Sequence, residues 1–476
     1  MISSRRMAAV DRNAAARGVP EAKLMENAGA GVARVVRQRH PDASVVCVAG
    51  TGSNGGDALV AARFLDGTAV LLGRPESVSS DAADDNWRAL EASHAMTSCV
   101  RDSRGVRDAL EGYEVVVDGV LGTGVRGELR EPAATYVDEV NALDCEVVAV
   151  DVPTGVDADA GSPEGVHVEA DVVVSFHDVK PVHDSLDADL EVVDIGIPAA
   201  AETYVGPGDV AAVGRAPDSH KGDNGYVAVV GGGPYTGAPT LSALASLRAG
   251  GDLARVVAPT EAAGVARQRE DLLVTALEGD RLSPDTADAA LDAALDADVA
   301  VVGPGIGDDA GSVDAAGAVV DAVDRCVVDA EAQAALPEVD TDPDEVVATP
   351  HAGELSRHLG RDAGDGLESR VEAAEAAARE HDVTVLLKGV VDVVSDGRRT
   401  RLSDTGNEGM TVGGTGDVLA GVCGRMLSQV DGFEAACVAA YVNGAAGDLA
   451  RDDLGFGLLA SDVVDRLPMA AEEIRR

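Results

Sequence analysis

Short valine-rich runs alternate with alanine-rich stretches of helical length from one end of this chain to the other. Val45–Ala49, Val115–Val117, Val147–Val150, Val172–Val174, Val227–Val230, Val299–Val302, Cys326–Val328 and Val383–Leu387 are such runs. A strand that is apolar at every position has no polar face to turn to water, so it must be covered on both sides. Helices between the strands supply both the cover and the crossover that parallel pairing needs. The pattern predicts an α/β chain whose first half is a Rossmann-like three-layer sandwich. Many of the runs end in Gly or Asp, at the carboxyl edge where open parallel sheets bind ligands.

With 476 residues the chain is longer than one core usually organises. A seam is expected between Asp194-Ile195-Gly196-Ile197-Pro198 and Lys221, a stretch rich in Pro and Gly and without periodicity. A new strand starts at Tyr226. Asp280–Asp298 reads as an acidic surface helix, and Pro337–Glu345 as an acidic surface loop.

The net charge is −45, which repels itself in dilute salt and is screened near molar salt. An acidic, lysine-poor surface over small core residues resembles proteins from salt-loving archaea. It argues against a nucleic-acid partner, since phosphate contacts need clusters of Lys and Arg. The four lysines then carry information: Lys23 lies in a helical stretch, while Lys180, Lys221 and Lys388 each sit beside a turn signal or a Gly. The cysteines Cys47, Cys99, Cys145, Cys326, Cys423 and Cys437 lack CxxC spacing and read as small core residues rather than a metal or disulfide framework. No apolar run approaches a membrane span, and the expectation is a cytoplasmic protein with no membrane partner.

Two glycine-rich turns close on an aspartate: Gly52-Ser53-Asn54-Gly55-Gly56-Asp57 and Gly413-Gly414-Thr415-Gly416-Asp417. Glycines let backbone N–H groups turn inward around an anion, and a helix start adds its partial positive charge. A carboxylate beside such a cradle is costly unless it handles a proton or a cation. Two such arrangements suggest two active sites.

In the first half, that turn is joined by Asp118-Gly119-Val120-Leu121-Gly122-Thr123-Gly124-Val125-Arg126-Gly127 and by Asp151-Val152-Pro153-Thr154-Gly155-Val156-Asp157. Asn54, Asp118 and Thr154 offer oxygen donors suited to a hard cation. Asp151, ending a buried strand and fixed by Pro153, is placed to exchange a proton. Any one segment alone reads as a capped glycine turn; three on one sheet point to a site.

With Leu24-Met25-Glu26-Asn27-Ala28-Gly29 and Phe176 to Lys180-Pro181, these segments resemble the NAD(P)HX epimerase domain over residues 1–205. The resemblance implies potassium on Asn54, Asp118 and Thr154. It implies contacts to the hydrated dinucleotide from Ser53, Asn54, Gly55, Gly56, Asp57, Gly122, Thr123, Gly124, Val125, Arg126, Gly127, Glu128 and Asp151. Ser53 stands where the family has the first of two asparagines, and Glu128 where an Asp is also found.

The second half carries Ser219-His220-Lys221-Gly222, Gly231-Gly232-Gly233, Thr236-Gly237-Ala238-Pro239, Gly303-Pro304-Gly305-Ile306-Gly307, Thr349-Pro350-His351-Ala352-Gly353-Glu354 and Leu386-Leu387-Lys388-Gly389 before Asp417. Asp417, at a helix start, can take a proton from a substrate hydroxyl while backbone amides hold a transferring phosphoryl group. No Walker-type Gly-Lys-Ser/Thr is present. The ordered set resembles the ADP- or ATP-dependent NAD(P)HX dehydratase, of ribokinase-like fold, over residues 210–476. By that resemblance Ala238, Gly305, Gly307, His351 and Asp417 line the hydrated nicotinamide site. Lys388, Gly389, Val390, Val391, Asp392 and Gly416 would contact the adenine nucleotide, ADP or AMP. Asp392 departs from the small or hydroxylated residue common there.

The fusion implies repair of hydrated NADH and NADPH (NADHX and NADPHX). Epimerisation of the R and S forms would be followed by phosphorylation of the S-form hydroxyl, with Asp417 as base, and loss of phosphate. ADP with Mg2+ is the expected donor, and self-association stays open. Two other readings stand beside it: a hydroxyl kinase of the vitamin-precursor type, and a first domain that only binds or assembles.

Overall fold

The computed structural model describes residues 1–475 except Val125, Arg126, Glu164, Ala212, Asp340, Thr341 and Pro343. Its contacts divide the chain into two units, Met1–Ala201 and Glu202–Arg476.

The first unit holds a sheet of β1 (Val45–Ala49), β2 (Thr68–Leu72), β3 (Thr97–Val100), β4 (Val115–Gly119), β5 (Glu146–Val150), β6 (Val172–Phe176) and β7 (Asp189–Val193). Every pairing is parallel, in the order β3-β2-β1-β4-β5-β6-β7. Strand β1 shows why both faces are covered: Val45, Cys47 and Ala49 join one apolar cluster, while Val46 and Val48 join another on the opposite face. The order reverses between β1 and β4, and the crevice beyond their carboxyl ends is where such sheets take ligands. Two helices, α1 (Ser4–Ala16) and α2 (Glu21–Arg39), precede β1, and α3 (Ser53–Leu65) follows it.

The second unit repeats the principle in a larger sheet: β8 (Tyr226–Val230), β9 (Leu253–Pro259), β10 (Leu273–Leu277), β11 (Val299–Val302), β12 (Cys326–Val328), β13 (Val346–Ala348), β14 (Thr384–Leu387), β15 (Asp392–Ser395) and β16 (Thr400–Ser403). The order is β10-β9-β8-β11-β12-β13-β14-β15-β16, parallel as far as β14 and antiparallel beyond it. Val227 and Val229 face one core, Ala228 and Val230 the other. The reversal here lies between β8 and β11.

Two sequence expectations need adjusting. The helix expected over Asp280–Asp298 is Pro284–Ala294, because Pro284 is suited to the first helical position and leaves Asp280 to Ser283 as a turn. Strand β4 runs past Val117 to Gly119, which brings Asp118 inside the sheet. Among the described residues, no helix is long and apolar enough to cross a membrane, and all six cysteines are free thiols.

Candidate active sites

In the first unit the glycine turn after β1 becomes the first turn of α3, so Ser53, Asn54, Gly55, Gly56 and Asp57 are helical. Side chains could not replace Gly55 or Gly56: a Cβ on Gly55 would run into the Gly50 carbonyl oxygen, and one on Gly56 would meet Met25 and Ala83 within 3 Å; in the loop after β4, a Cβ on Gly122 would stand 3.0 Å from Asn54. A cleft of about 850 Å³ opens over this turn. Ser53, Asn54, Asp57, Gly122, Thr123, Gly124, Asp151 and Phe176 line it, together with Asp11 from α1. Gly127 and Glu128 are exposed, and the expectations for Val125 and Arg126 fall outside the described residues.

Asp151 is anchored. Its Oδ1 accepts from the Phe176 N–H at 3.1 Å and from the Lys180 ammonium. Lys180 is fully buried and also donates to Ser175 Oγ (3.1 Å) and the Phe176 carbonyl (2.9 Å). His183 Nδ1 accepts the Lys180 N–H at 3.1 Å, so its Nε2 carries the proton and donates to the Asp151 carbonyl at 2.9 Å. Asp151 adopts φ 64°, a left-handed conformation unusual outside glycine, and these bonds hold it there.

Asp118 is fully buried at the end of β4. It accepts from the Thr154 N–H (2.8 Å), the Thr154 hydroxyl (2.7 Å) and the Tyr136 hydroxyl (3.2 Å). Burial raises its proton affinity, and the Thr154 bonds oppose that. Asn54 donates to the Leu121 carbonyl at 3.2 Å. Among the described residues, no cation pairs with Asp118, and its surroundings offer only oxygen and neutral N–H groups. That donor set fits a hard cation of low charge.

The second site is built on the helix Thr415–Leu427, whose N-cap Gly414 has φ 99° and turns the chain into it. Asp417 therefore stands within the first turn. Its carboxyl accepts no hydrogen bond among the described residues, and burial, then the like charge of Asp329, raise its pKa to about 7 against the pull of Lys388. The Lys388 ammonium stands 3.1 Å from Asp329 Oδ1 and 3.6 Å from Glu354 Oε2. A Cβ on Gly416 would stand 3.3 Å from it, so this lysine lies over the glycine turn. Burial would lower the Lys388 pKa, but Asp329, Glu354 and Asp417 outweigh that and raise it.

His351 caps the helix Ala352–His358: its Nδ1 accepts from the N–H groups of Gly353 (3.0 Å) and Glu354 (3.2 Å). Its bridge to Lys388 brings the two segments together at the sheet edge. Ala238 begins the helix Ala238–Arg248 and meets Gly305, where a Cβ would stand 3.2 Å from that of Ala238. Gly307, with φ 70°, packs on Pro234. The turn Gly389 to Asp392 is closed by the Gly389 N–H on Asp392 Oδ1 (2.8 Å), and Arg370 donates to the Lys388 carbonyl at 3.1 Å. Burial raises Asp392 to about 6, and Val390 projects fully into solvent while Val391 packs on the core.

Sequence reasoning missed Asp11, Tyr136, His183, Asp329 and Arg370. Lys180 and Lys388 were legible as rare lysines beside turn signals; Lys221, flagged on the same ground, is exposed.

Comparison with known proteins follows the same division. A family model described as NAD(P)H-hydrate dehydratase matches residues 227–469, and one described as YjeF-related protein N-terminus matches residues 21–182. The bifunctional NAD(P)H-hydrate repair enzyme of Methanopyrus kandleri is 42% identical over 484 residues, 98% of this chain and 96% of its own. That of Pyrobaculum aerophilum is 41% identical over 490 residues, 98% and 97% of the two chains. Among solved structures, the ADP/ATP-dependent NAD(P)H-hydrate dehydratase from Bacillus subtilis, co-crystallised with ATP and Mg2+, matches with a TM-score of 0.50 and 27% identity. It covers 57% of this chain and 99% of that one.

Proposed function

The chain belongs to the family of bifunctional NAD(P)H-hydrate repair enzymes, and from that premise we infer how its two units divide the work. Its substrates are NADH and NADPH that have gained water on the nicotinamide ring and can no longer deliver hydride. The first unit, Met1–Ala201, interconverts the R and S hydrates; the second, Glu202–Arg476, dehydrates the S form. One observation supports this reading above the others. Each unit sets a carboxylate beside a glycine-rich helix start and a lysine at the carboxyl edge of its sheet: Asp151 with Lys180, and Asp417 with Lys388.

In the second unit Asp417 takes the proton of the ring hydroxyl as its oxygen attacks the terminal phosphorus of the nucleotide. Its raised pKa suits a base working near neutrality. Lys388 and the amides around Gly416 hold the phosphates, with Mg2+ arriving on the nucleotide. Phosphate leaves far more readily than hydroxide, so the ring nitrogen expels it, and loss of a proton from the adjacent ring carbon then restores the dihydronicotinamide. ADP is the preferred donor. Ala238, Gly305, Gly307 and His351 frame the nicotinamide, and Gly389 to Asp392 the adenine nucleotide.

In the first unit, Asn54, Asp118 and Thr154 would hold K+, which would neutralise the buried Asp118 and orient groups of the dinucleotide. Asp151, held by Lys180, exchanges the proton. The acidic surface suits a potassium-rich cytoplasm.

The test uses the full chain in high KCl with Mg2+, separated R and S hydrates of NADH, and either ADP or ATP. Recovery of dihydronicotinamide absorbance from S alone establishes the dehydratase, and the faster nucleotide identifies the donor. Recovery from R as well places both activities in one chain. Replacing KCl by choline chloride at equal ionic strength should slow R turnover; equal R rates would sink the potassium assignment. Nucleotide consumption with another alcohol and no recovery from either hydrate would mean a kinase.

A further inference from the structure

We propose that Asp11, on the first helix, is a second proton-transferring residue of the N-terminal site, working with Asp151 on the two faces of the hydrated ring. The proposal rests on the reading of that unit as the epimerase. Asp11 lies before the span that the N-terminal family model matches, residues 21–182.

Helix α1 presents Met7, Ala8, Asp11, Arg12 and Ala15 to the cleft, the spacing of one helical face. Val10, Asn13 and Ala14 are buried away from solvent. The start of the helix is tied to the segment that carries Lys180. The Ile2 N–H donates to the Val179 carbonyl at 2.8 Å, and the terminal ammonium pairs with Asp178 at 2.6 Å. The Ser4 N–H donates to Asp159 at 2.8 Å. Asp11 is thus held at the cleft by an anchored element.

Its carboxyl, half-buried, accepts no hydrogen bond and joins no ion pair among the described residues. A carboxyl without a partner in such a place is costly unless a ligand supplies one. The charged groups around it are Asp151, Glu21 and Asp57 on the negative side and Lys180 and His177 on the positive. Burial, then Asp151, raise its pKa to about 6. Two carboxyls in one cleft with such different partners divide into an acid and a base.

The ring hydroxyl sits on the carbon next to the ring nitrogen. Asp11 donates its proton to that hydroxyl as the C–O bond breaks, and the nitrogen lone pair forms a C=N bond. The oxygen leaves as water. Water then adds to the opposite face: the C–O bond forms, the electron pair returns to nitrogen, and Asp151 takes the surplus proton. The proton passes back to Asp11 through solvent, so nothing is oxidised or reduced. The reverse direction exchanges the two roles.

The full chain carrying Asp11→Asn would be assayed on the separated R hydrate of NADH in KCl without nucleotide, resolving R and S chromatographically across pH. Conversion should fall by about 100-fold or more, the range of lost general acid–base catalysis. Dehydration of S should keep its wild-type rate. The wild-type rate should decline as pH rises through about 6, and the variant should lack that decline. Asp11→Glu, which keeps a carboxyl, should restore both rate and decline in part. Wild-type conversion and pH profile in Asp11→Asn would overturn the proposal. So would Asp11→Glu as inactive as Asp11→Asn with thermal unfolding lowered in both, which marks a packing role. Failure of the wild type to interconvert R and S would instead remove the epimerase reading itself.

Discussion

Asp151 follows strand β5 and Asp417 stands in the first turn of a helix, each set with a lysine at the carboxyl edge of a parallel sheet, yet the two lysines are used in opposite ways. Lys180 bonds directly to Asp151 and is fully buried, so lysine and carboxylate form one fixed unit. Lys388 is held by Asp329 and Glu354, and it reaches over Gly416 without a bond to Asp417. The first arrangement fixes the carboxyl group in orientation. The second leaves a carboxyl free to take a proton and a cation free to meet phosphate. The same two residue types serve different chemistry because a third carboxylate, Asp329, intervenes in one site and not in the other.

The largest expected effect separates the two sites outright. Asp417→Asn should reduce S-hydrate dehydration by about 10³-fold while R and S still interconvert, since it removes the base and leaves the first unit untouched. Conversely, Asp151→Asn should remove R-hydrate turnover and spare S; unchanged R turnover would sink that assignment.

Lys180→Met probes the difference in burial. Removing one partner of a buried pair leaves an uncompensated charge, and the expected cost to the first unit is about 3–5 kcal/mol in urea unfolding. Lys388→Met, whose lysine is a fifth exposed, should cost its unit less and raise the KM for nucleotide instead. Equal destabilisation by the two would erase the contrast.

A smaller effect lies in pH. Burial and Asp329 raise Asp417, and a base must be ionised, so dehydration should increase about tenfold from about pH 6 to pH 8. R-to-S conversion, by the argument for Asp11, should run the other way. Parallel profiles would mean that one group limits both steps. The smallest expected effect is Tyr136→Phe, which removes one hydrogen bond to Asp118 at a cost of about 1 kcal/mol, with weaker K+ dependence of R turnover.

Much of the fold was legible because apolar strands and glycine turns are local signals. Val45–Ala49 and Val227–Val230 announce buried parallel strands, and the turns at Asn54 and Asp417 announce helix starts. The partners of those turns were less visible. Asp11 lies on an ordinary-looking helix, and nothing near Tyr136 or Asp329 distinguishes them from core or cap residues. Lys180 and Lys388 stood out because lysine is scarce here and each adjoins a turn signal or a Gly, a signal that also flagged the exposed Lys221. Glu128 was assigned through the family motif and stands exposed, beyond the cleft lining.

What the sequence determined alone was the set of elements and the loops at their carboxyl ends. Hydrophobic pattern and glycine position act over a few residues and need no distant partner. Only the tertiary structure decided which carboxylate met which cation. Asp151 and Lys180 are 29 residues apart, and Lys388 and Asp329 are 59. Their pairing depends on strand order, through parallel crossovers that bring separate chain segments to one sheet edge. Charge interactions fall off with distance and grow with burial, so the chemistry of each aspartate was settled by folding.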